Sequence, residues 1–498
     1  MKSTKDNLHA LIHSLNPTEK RFFKRFVKSR KAQENDYLNL FNEMNSMRNY
    51  DKGVLMEKIA DYNFREHLEV KKHYLFQLIL DSQRQYRDAG LTMHNKLTEI
   101  DILIEKGLYA FAYKTIIKGL EKARRIDDFN YEIQLLDKLE VLSRFNPLLK
   151  TRKILSEQQT AQDRSQNILE YKLLFLDLSE IVSQNSFVRN SRQMQRLERY
   201  KTNKYLNDPT VAKSFTAQMH FYLCNYLFKA TIGDNASCYN AAAKMHKLIK
   251  SHPEALKSYD KLYLRAISAR LSALTLSGYR KKEFQTLISE LKTNTFRMQN
   301  RESRKIAQAI FYEFQLIFHV REKNFDKAIE LAQTATVFVK ENAILSDGNA
   351  IKYLSFDIAK THFVIGNYAE ANKWFLKQSY SESKTKSSDI FAFSRILSLF
   401  CEIFLNETEN IKYNAGYLRN YLSKHGHLFE YESFLLSRIT KHFINWNSIS
   451  FKEKILMLQN FKQELEKQLD SPWKANMILY FDFEWWVELL VEQLKSES

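Results

Sequence analysis

A chain of 498 residues that contains only ten glycines and five prolines departs sharply from ordinary usage, in which the two types together take roughly 12% of positions. Glycine supplies the backbone angles that strand turns, phosphate-cradling loops and nucleophile elbows need. So little of it disfavours all-β folds and glycine-loop α/β enzymes. The apolar residues point the same way. They recur at helical spacing in Leu135, Leu136, Leu139 and Leu142, and again in Ile310, Phe311, Phe314, Ile317 and Phe318. The expectation is an all-α protein.

Four of the prolines follow a good helix-capping residue, in Asn16-Pro17, Asn146-Pro147, Asp208-Pro209 and Ser471-Pro472. Each predicts a helix start, because proline loses nothing at the first helical position and the side-chain oxygen before it accepts a free amide. Asn16-Pro17-Thr18-Glu19 adds the acid of a capping box, and His252-Pro253-Glu254 is a weaker version of the signal. Breaks in the helical pattern fall near Gly107, Asn146, Ser186, Gly233, Gly278, Asn324, Gly366, Thr408 and Ser448. Their step of about 43 residues accommodates two helices and two short turns, the signature of stacked helix pairs.

After three of these breaks the chain reads Gly107-Leu108-Tyr109-Ala110-Phe111-Ala112, Asn324-Phe325-Asp326-Lys327-Ala328 and Gly366-Asn367-Tyr368-Ala369-Glu370-Ala371. This resembles the turn and second-helix start of tetratricopeptide (TPR) repeats: a small residue, an aromatic, then alanine three positions later. The small residue lets the chain reverse, the aromatic packs on the first helix, and alanine permits close approach. The step exceeds the roughly 34 residues of a standard TPR, and the early Trp and closing Pro are absent. HEAT-like pairs are the alternative. The resemblance implies an α-solenoid of antiparallel helix pairs over about residues 95 to 468. The expected organisation is a separate, basic N-terminal helical domain (1–90), TPR-like repeats (91–470) and a C-terminal capping helix (471–498). That last segment, rich in Tyr480, Phe481, Phe483, Trp485 and Trp486, is read as a lid over the final repeat.

No stretch approaches the roughly 20 apolar residues of a membrane span, and Met1 to Pro17 has no apolar core of a signal sequence. The expected location is cytoplasmic. Cys224, Cys238 and Cys401 are scattered, so they read as small buried hydrophobes. Phosphate-loop, dinucleotide, GxSxG and HExxH patterns are missing. His9 with His13, and His425 with His427, are pairs without a third ligand, and Glu430 with Glu432 is an acid pair with no mark of a pocket. The expectation is therefore a non-catalytic protein with no cofactor and no metal.

Charge is the remaining lead, at a formal +18. An N-terminal basic helix carries Lys20, Arg21, Lys24, Arg25 and Lys28, followed by Arg30 and Lys31, opposite Phe22, Phe23, Phe26 and Val27. It reads either as an ordinary surface helix or as one that touches anionic membrane or nucleic-acid phosphates. A second basic patch, Arg189, Arg192, Arg196 and Arg199, steps by helical intervals along one stripe. It falls on the outer surface if the TPR resemblance holds. The same resemblance places first helices along an inner groove, where Lys257, Lys261, Arg265, Arg301 and Arg304 would form a basic lining. The leading functional expectation is a scaffold that grips an acidic protein or peptide through that groove. The alternative is a nucleic-acid-associated regulator. Its N-terminal domain would contact DNA or RNA through two helices around Tyr62-Asn63-Phe64-Arg65, with the repeats acting as sensor. Residues 470–498 run against the trend, with six acids and two bases.

Overall fold

The computed structural model describes residues 6–29, 35–58, 66–88, 93–185, 188, 191–252, 259–276, 279–298, 300–342, 348–382, 389–468, 477–478 and 480–496. Among them every regular element is helical and no strand occurs, as the glycine shortage predicts. No described helix is long and apolar enough to cross a membrane. All three cysteines are buried and free. The chain divides into two compact units, the first comprising Met1–Ala123 with Asn130–Gln158, the second Arg124–Phe129 with Gln159–Ser498.

The first unit opens with α1 (Asn7–Ser14), α2 (Pro17–Lys28), α3 (Asn35–Ser46), α4 (Lys52–Lys58) and α5 (Leu68–Asp88). Helices α1, α2 and α3 all pack on α5 around a core that includes Ile12, Phe23, Phe41 and Ile79. The capping box is present: Asn16 Oδ1 accepts from the Thr18 and Glu19 amides, and Glu19 returns a bond to the Asn16 amide. His9 and His13 bond to the Met47 and Met44 carbonyls, fastening α1 to the end of α3. The buried Lys72 ammonium meets Asp6 and also donates to Tyr50 Oη and Glu69, both at 3.2 Å. Asp6 is at the same time the N-cap of α1. A second core joins α6 (Met93–Glu105), α7 (Tyr109–Arg125), α8 (Phe129–Ser143) and the start of α9 (Thr151–Asn185). Of the predicted starts, Asn146-Pro147 is not one. Asn146 Oδ1 accepts from the Leu148 amide and its carbonyl from Leu149, which closes a turn, and helix resumes only at Thr151. Helix α9 then runs 35 residues without the mid-length break that a helix pair needs, because no glycine or proline interrupts it.

In the second unit α10 (Ser191–Lys201) and α11 (Lys204–Asn207) lead to a succession of pairs: α12 (Phe215–Thr231) with α13 (Asn235–Lys250), α14 (Asp260–Leu276) with α15 (Lys281–Arg297), and α16 (Arg301–Arg321) with α17 (Phe325–Glu341). There follow α18 (Gly348–Val364) with α19 (Tyr368–Glu382), α20 (Asp389–Phe404) with α21 (Ile411–Lys424), α22 (Glu430–Lys441) with α23 (Phe451–Gln468), and α24 (Phe483–Ser496). Asp208-Pro209 starts only a single 3₁₀ turn, and the following helix begins at a different cap, Ser214. Ser471-Pro472, Gly90, and the junction Tyr62 to Arg65 lie outside the described residues.

The turns share one hydrogen-bond pattern. Around Gly107, Gly233, Lys323, Gly366, Asn406 and Gly426, all at positive φ, the amide of that residue reaches back three residues and the next amide reaches back five. This is the left-handed C-terminal cap that closes one helix and launches the next. At Gly366 φ is 88°, a conformation in which any side chain is strained. Each first helix touches the next first helix, from α12 through α14, α16, α18 and α20 to α22, and each second helix from α13 to α21 packs on the following first one. One apolar core therefore runs from Met219 to Leu490.

The C-terminal segment reaches beyond the last pair. Trp486 is fully buried against Phe363 of α18 and Phe400 and Phe404 of α20, with ring centroids 5.2, 5.4 and 6.1 Å away. Tyr480 stacks on Phe393 and donates to Asp389 Oδ2 at 3.0 Å. Helix α24 also packs on α23. Burying each such aromatic contributes on the order of 2 to 3 kcal/mol, so this segment is an integral wall of the unit.

Candidate partner-binding cleft

The first helices α12, α14, α16 and α18, together with Phe175, Ser179 and Val182 of α9 and the segment Ile478–Trp485, enclose a cleft of about 960 Å³. Its depth follows from the sequence of α14. The stripe facing it begins with Lys261, Leu264 and Arg265 and continues as Ser268, Ser272 and Thr275, spaced by three or four residues and therefore on one face. The small hydroxyl residues leave open the space that larger ones would fill. From α16 the stripe Ile306, Ile310, Phe314 and Ile317 supplies an apolar floor, continued by Tyr353 and Phe356 of α18. Trp485 and Phe481 close one end.

Four cations and four acids line the cleft: Lys261, Arg265, Arg321 and Lys360, with Glu313, Glu322, Asp357 and Asp482. The lining as a whole is thus balanced rather than basic. What differs is pairing. Asp357 and Lys360 bond at 2.5 Å; burial pushes the Asp357 carboxyl up, and Lys360 acts against that. Glu322 is paired with Lys281. Burial likewise raises the Asp482 carboxyl, opposed by the Trp485 amide it accepts from and by the charge of Arg321. Arg321 lies over the Tyr279 ring at 5.5 Å. Lys261 and Arg265 are exposed, and no carboxylate pairs with either among the described residues. Arg265 only covers the ring of Phe175, at 4.9 Å. Beneath it His220 is buried, its Nδ1 bonded to the Thr216 carbonyl, and burial holds its pKa below the usual histidine value.

Of the five expected inner cations, two therefore line the cleft. Arg301 and Arg304 are exposed on the first turn of α16 but do not line it, because the helical phase set by Ile306 and Ile310 turns them aside. Lys257 lies outside the described residues. In the second basic patch Arg189 is outside them too, and so are the side chains of Arg192 and Arg196. Arg199 is exposed and donates to Tyr200 Oη at 2.7 Å. On α2, Phe23, Phe26 and Val27 are buried. Lys20 donates to Asn45 at 2.6 Å and Lys24 sits over Phe41, while Arg21, Arg25 and Lys28 are exposed. Glu432 is buried and Glu430 exposed, so that acid pair does not converge.

Sequence reasoning missed the aromatic floor, and it read the C-terminal segment as a lid over the final repeat rather than as the end wall that Phe481 and Trp485 form. The small-residue stripe of α14 was the available signal for the first, and the acidic, aromatic C-terminus for the second. Compared with protein-family models, with curated proteins and with solved structures, the chain matches none.

Proposed function

We propose that the protein is a non-catalytic TPR-like helical-repeat scaffold that binds an acidic protein or peptide in the cleft along its first helices. The observation that carries this reading is the positive charge of Lys261 and Arg265, unpaired among the described residues, at the mouth of an apolar cleft whose other charges are largely matched. Contacts between successive first helices and the repeated left-handed turns support the solenoid reading. A curved stack of this kind presents a long surface suited to recognition. Unmatched guanidinium and ammonium groups favour a carboxylate-bearing ligand.

The test is charge reversal. The double variant K261E/R265E loses the partner captured from native extract while its melting temperature stays within a degree or two of the parent, since both side chains are exposed. Capture that persists unchanged contradicts the reading.

The exposed Arg21, Arg25 and Lys28 of α2 favour a second reading, contact with nucleic acid through the first unit. Three neutralised phosphates give a slope of log K against log salt of about −2.7. Absence of duplex or single-strand binding at low salt removes it.

A further inference from the structure

The first-helix surface already holds one occupant, and it belongs to the chain itself. Helix α24 lies on it with Phe483, Trp486, Val487 and Leu490 buried. On its other face Glu488 meets Lys462 at 2.6 Å and Glu492 meets Lys323 at 2.5 Å. Those two acids are one helical turn apart. The occupant is thus an amphipathic helix whose bulky side chains enter the gaps between first helices and whose carboxylates reach lysines at the rim. The part of the cleft left open offers the same kinds of contact. Its floor is Ile310, Phe314 and Tyr353, and it carries two cations, Lys261 and Arg265, one turn apart on α14, with no carboxylate paired to either among the described residues.

We infer that the open part of the cleft receives a helix of the same chemistry from a partner protein. It is an amphipathic segment with large apolar residues on one face and two carboxylates a turn apart that pair with Lys261 and Arg265. This inference rests on reading the cleft as a peptide-binding surface, and it adds the form of the ligand. Trp485 and Phe481 set the limit of the occupant, because the wall they belong to is too deeply buried to swing aside.

The probe is a fluorescein-labelled synthetic peptide copying residues 480–496 of this chain, titrated into the full-length protein and read by anisotropy. Saturable binding is expected, weakened at least tenfold in K261E/R265E and in the milder K261Q/R265Q, and unchanged in K323Q/K462Q. A scrambled peptide of the same composition is expected to bind at least tenfold more weakly. Equal binding of the scrambled peptide overturns the helical ligand while leaving an acidic-peptide cleft intact. Binding lost in K323Q/K462Q but not in K261Q/R265Q places the peptide in the seat of α24 and overturns the inference, as does absence of binding to the parent protein. The broader reading fails separately, when K261E/R265E still captures the native partner.

Discussion

The first unit gathers its buried residues into two separate groups, one spanning Leu8 to Ile79 and the other Ile100 to Ile154, whereas in the second one extended group runs through all the helix pairs from Met219 to Leu490, beside a small one between Leu174 and Phe228. The difference lies in how helices are joined. In the N-terminal part of the first unit short helices converge on α5, and their ends are fixed individually by side chains such as Asn16 and Asp6. In the second, short connections, several of them three-residue turns, return each helix against its neighbour, so every pair shares a core with the next. A stack of this kind transmits strain between neighbours, and an open cleft arises wherever the facing stripe is small. The first unit has less reach, and its stability is local.

The sharpest way to break this contrast is Trp486→Ala. Removing a fully buried indole costs about 3 to 5 kcal/mol. The loss should spread to α18 and α20, measured as faster amide exchange there, while α5 in the first unit keeps its protection. Loss of protection confined to α24 would show that these helices do not share one core. Lys72→Ala strands Asp6 in a nearly buried site at a cost of about 3 kcal/mol. Exchange should rise through α1 and α5 only, with α14 to α22 unchanged.

Acid separates the two units more gently. His220, His319 and His362 of the second unit have pKa values held down by burial. Below the unfolded value near 6.5 the unfolded chain takes up protons that the folded chain does not, so their contribution is whole above that pH and declines beneath it. Between pH 7 and 5.5 the stability of the second unit should fall, by at most about 1.4 kcal/mol per histidine per pH unit, read as a lower melting temperature. His220→Gln should flatten that slope, and a slope identical to the parent's would exclude His220 as a contributor.

Much of this architecture is legible in the residues. Gly366, Tyr368 and Ala371 announce a turn, an anchor and a close approach, and the structure shows φ of 88° at the first, the Tyr368 ring stacked on Phe404 at 4.6 Å and Ala371 fully buried. The turn before Asn324-Phe325-Asp326-Lys327-Ala328 is announced by the same motif, but its residue at positive φ is not. Lysine has no preference for the φ of 55° found at Lys323, and only the surrounding helices hold it there. Asn146-Pro147 misled because an asparagine oxygen closes a turn as readily as it caps a helix. For the cleft, the sequence located cations but not their phase: Arg304 and Ile306, two residues apart on α16, lie on opposite faces, and only the helix's setting decides which faces inward. Pairing was invisible altogether, since Lys360 and Lys261 look alike until Asp357 is seen beside only one of them.

The central claim is that ligands seat on the first-helix face and not on the outer one. Benzoylphenylalanine in place of Tyr353, which lines the cleft, should photocrosslink the acidic helical peptide, and K261E/R265E should abolish that product. The same probe in place of Val337, exposed on α17 outside the cleft, should give none. Crosslinking at position 337 with none at 353 would contradict the account.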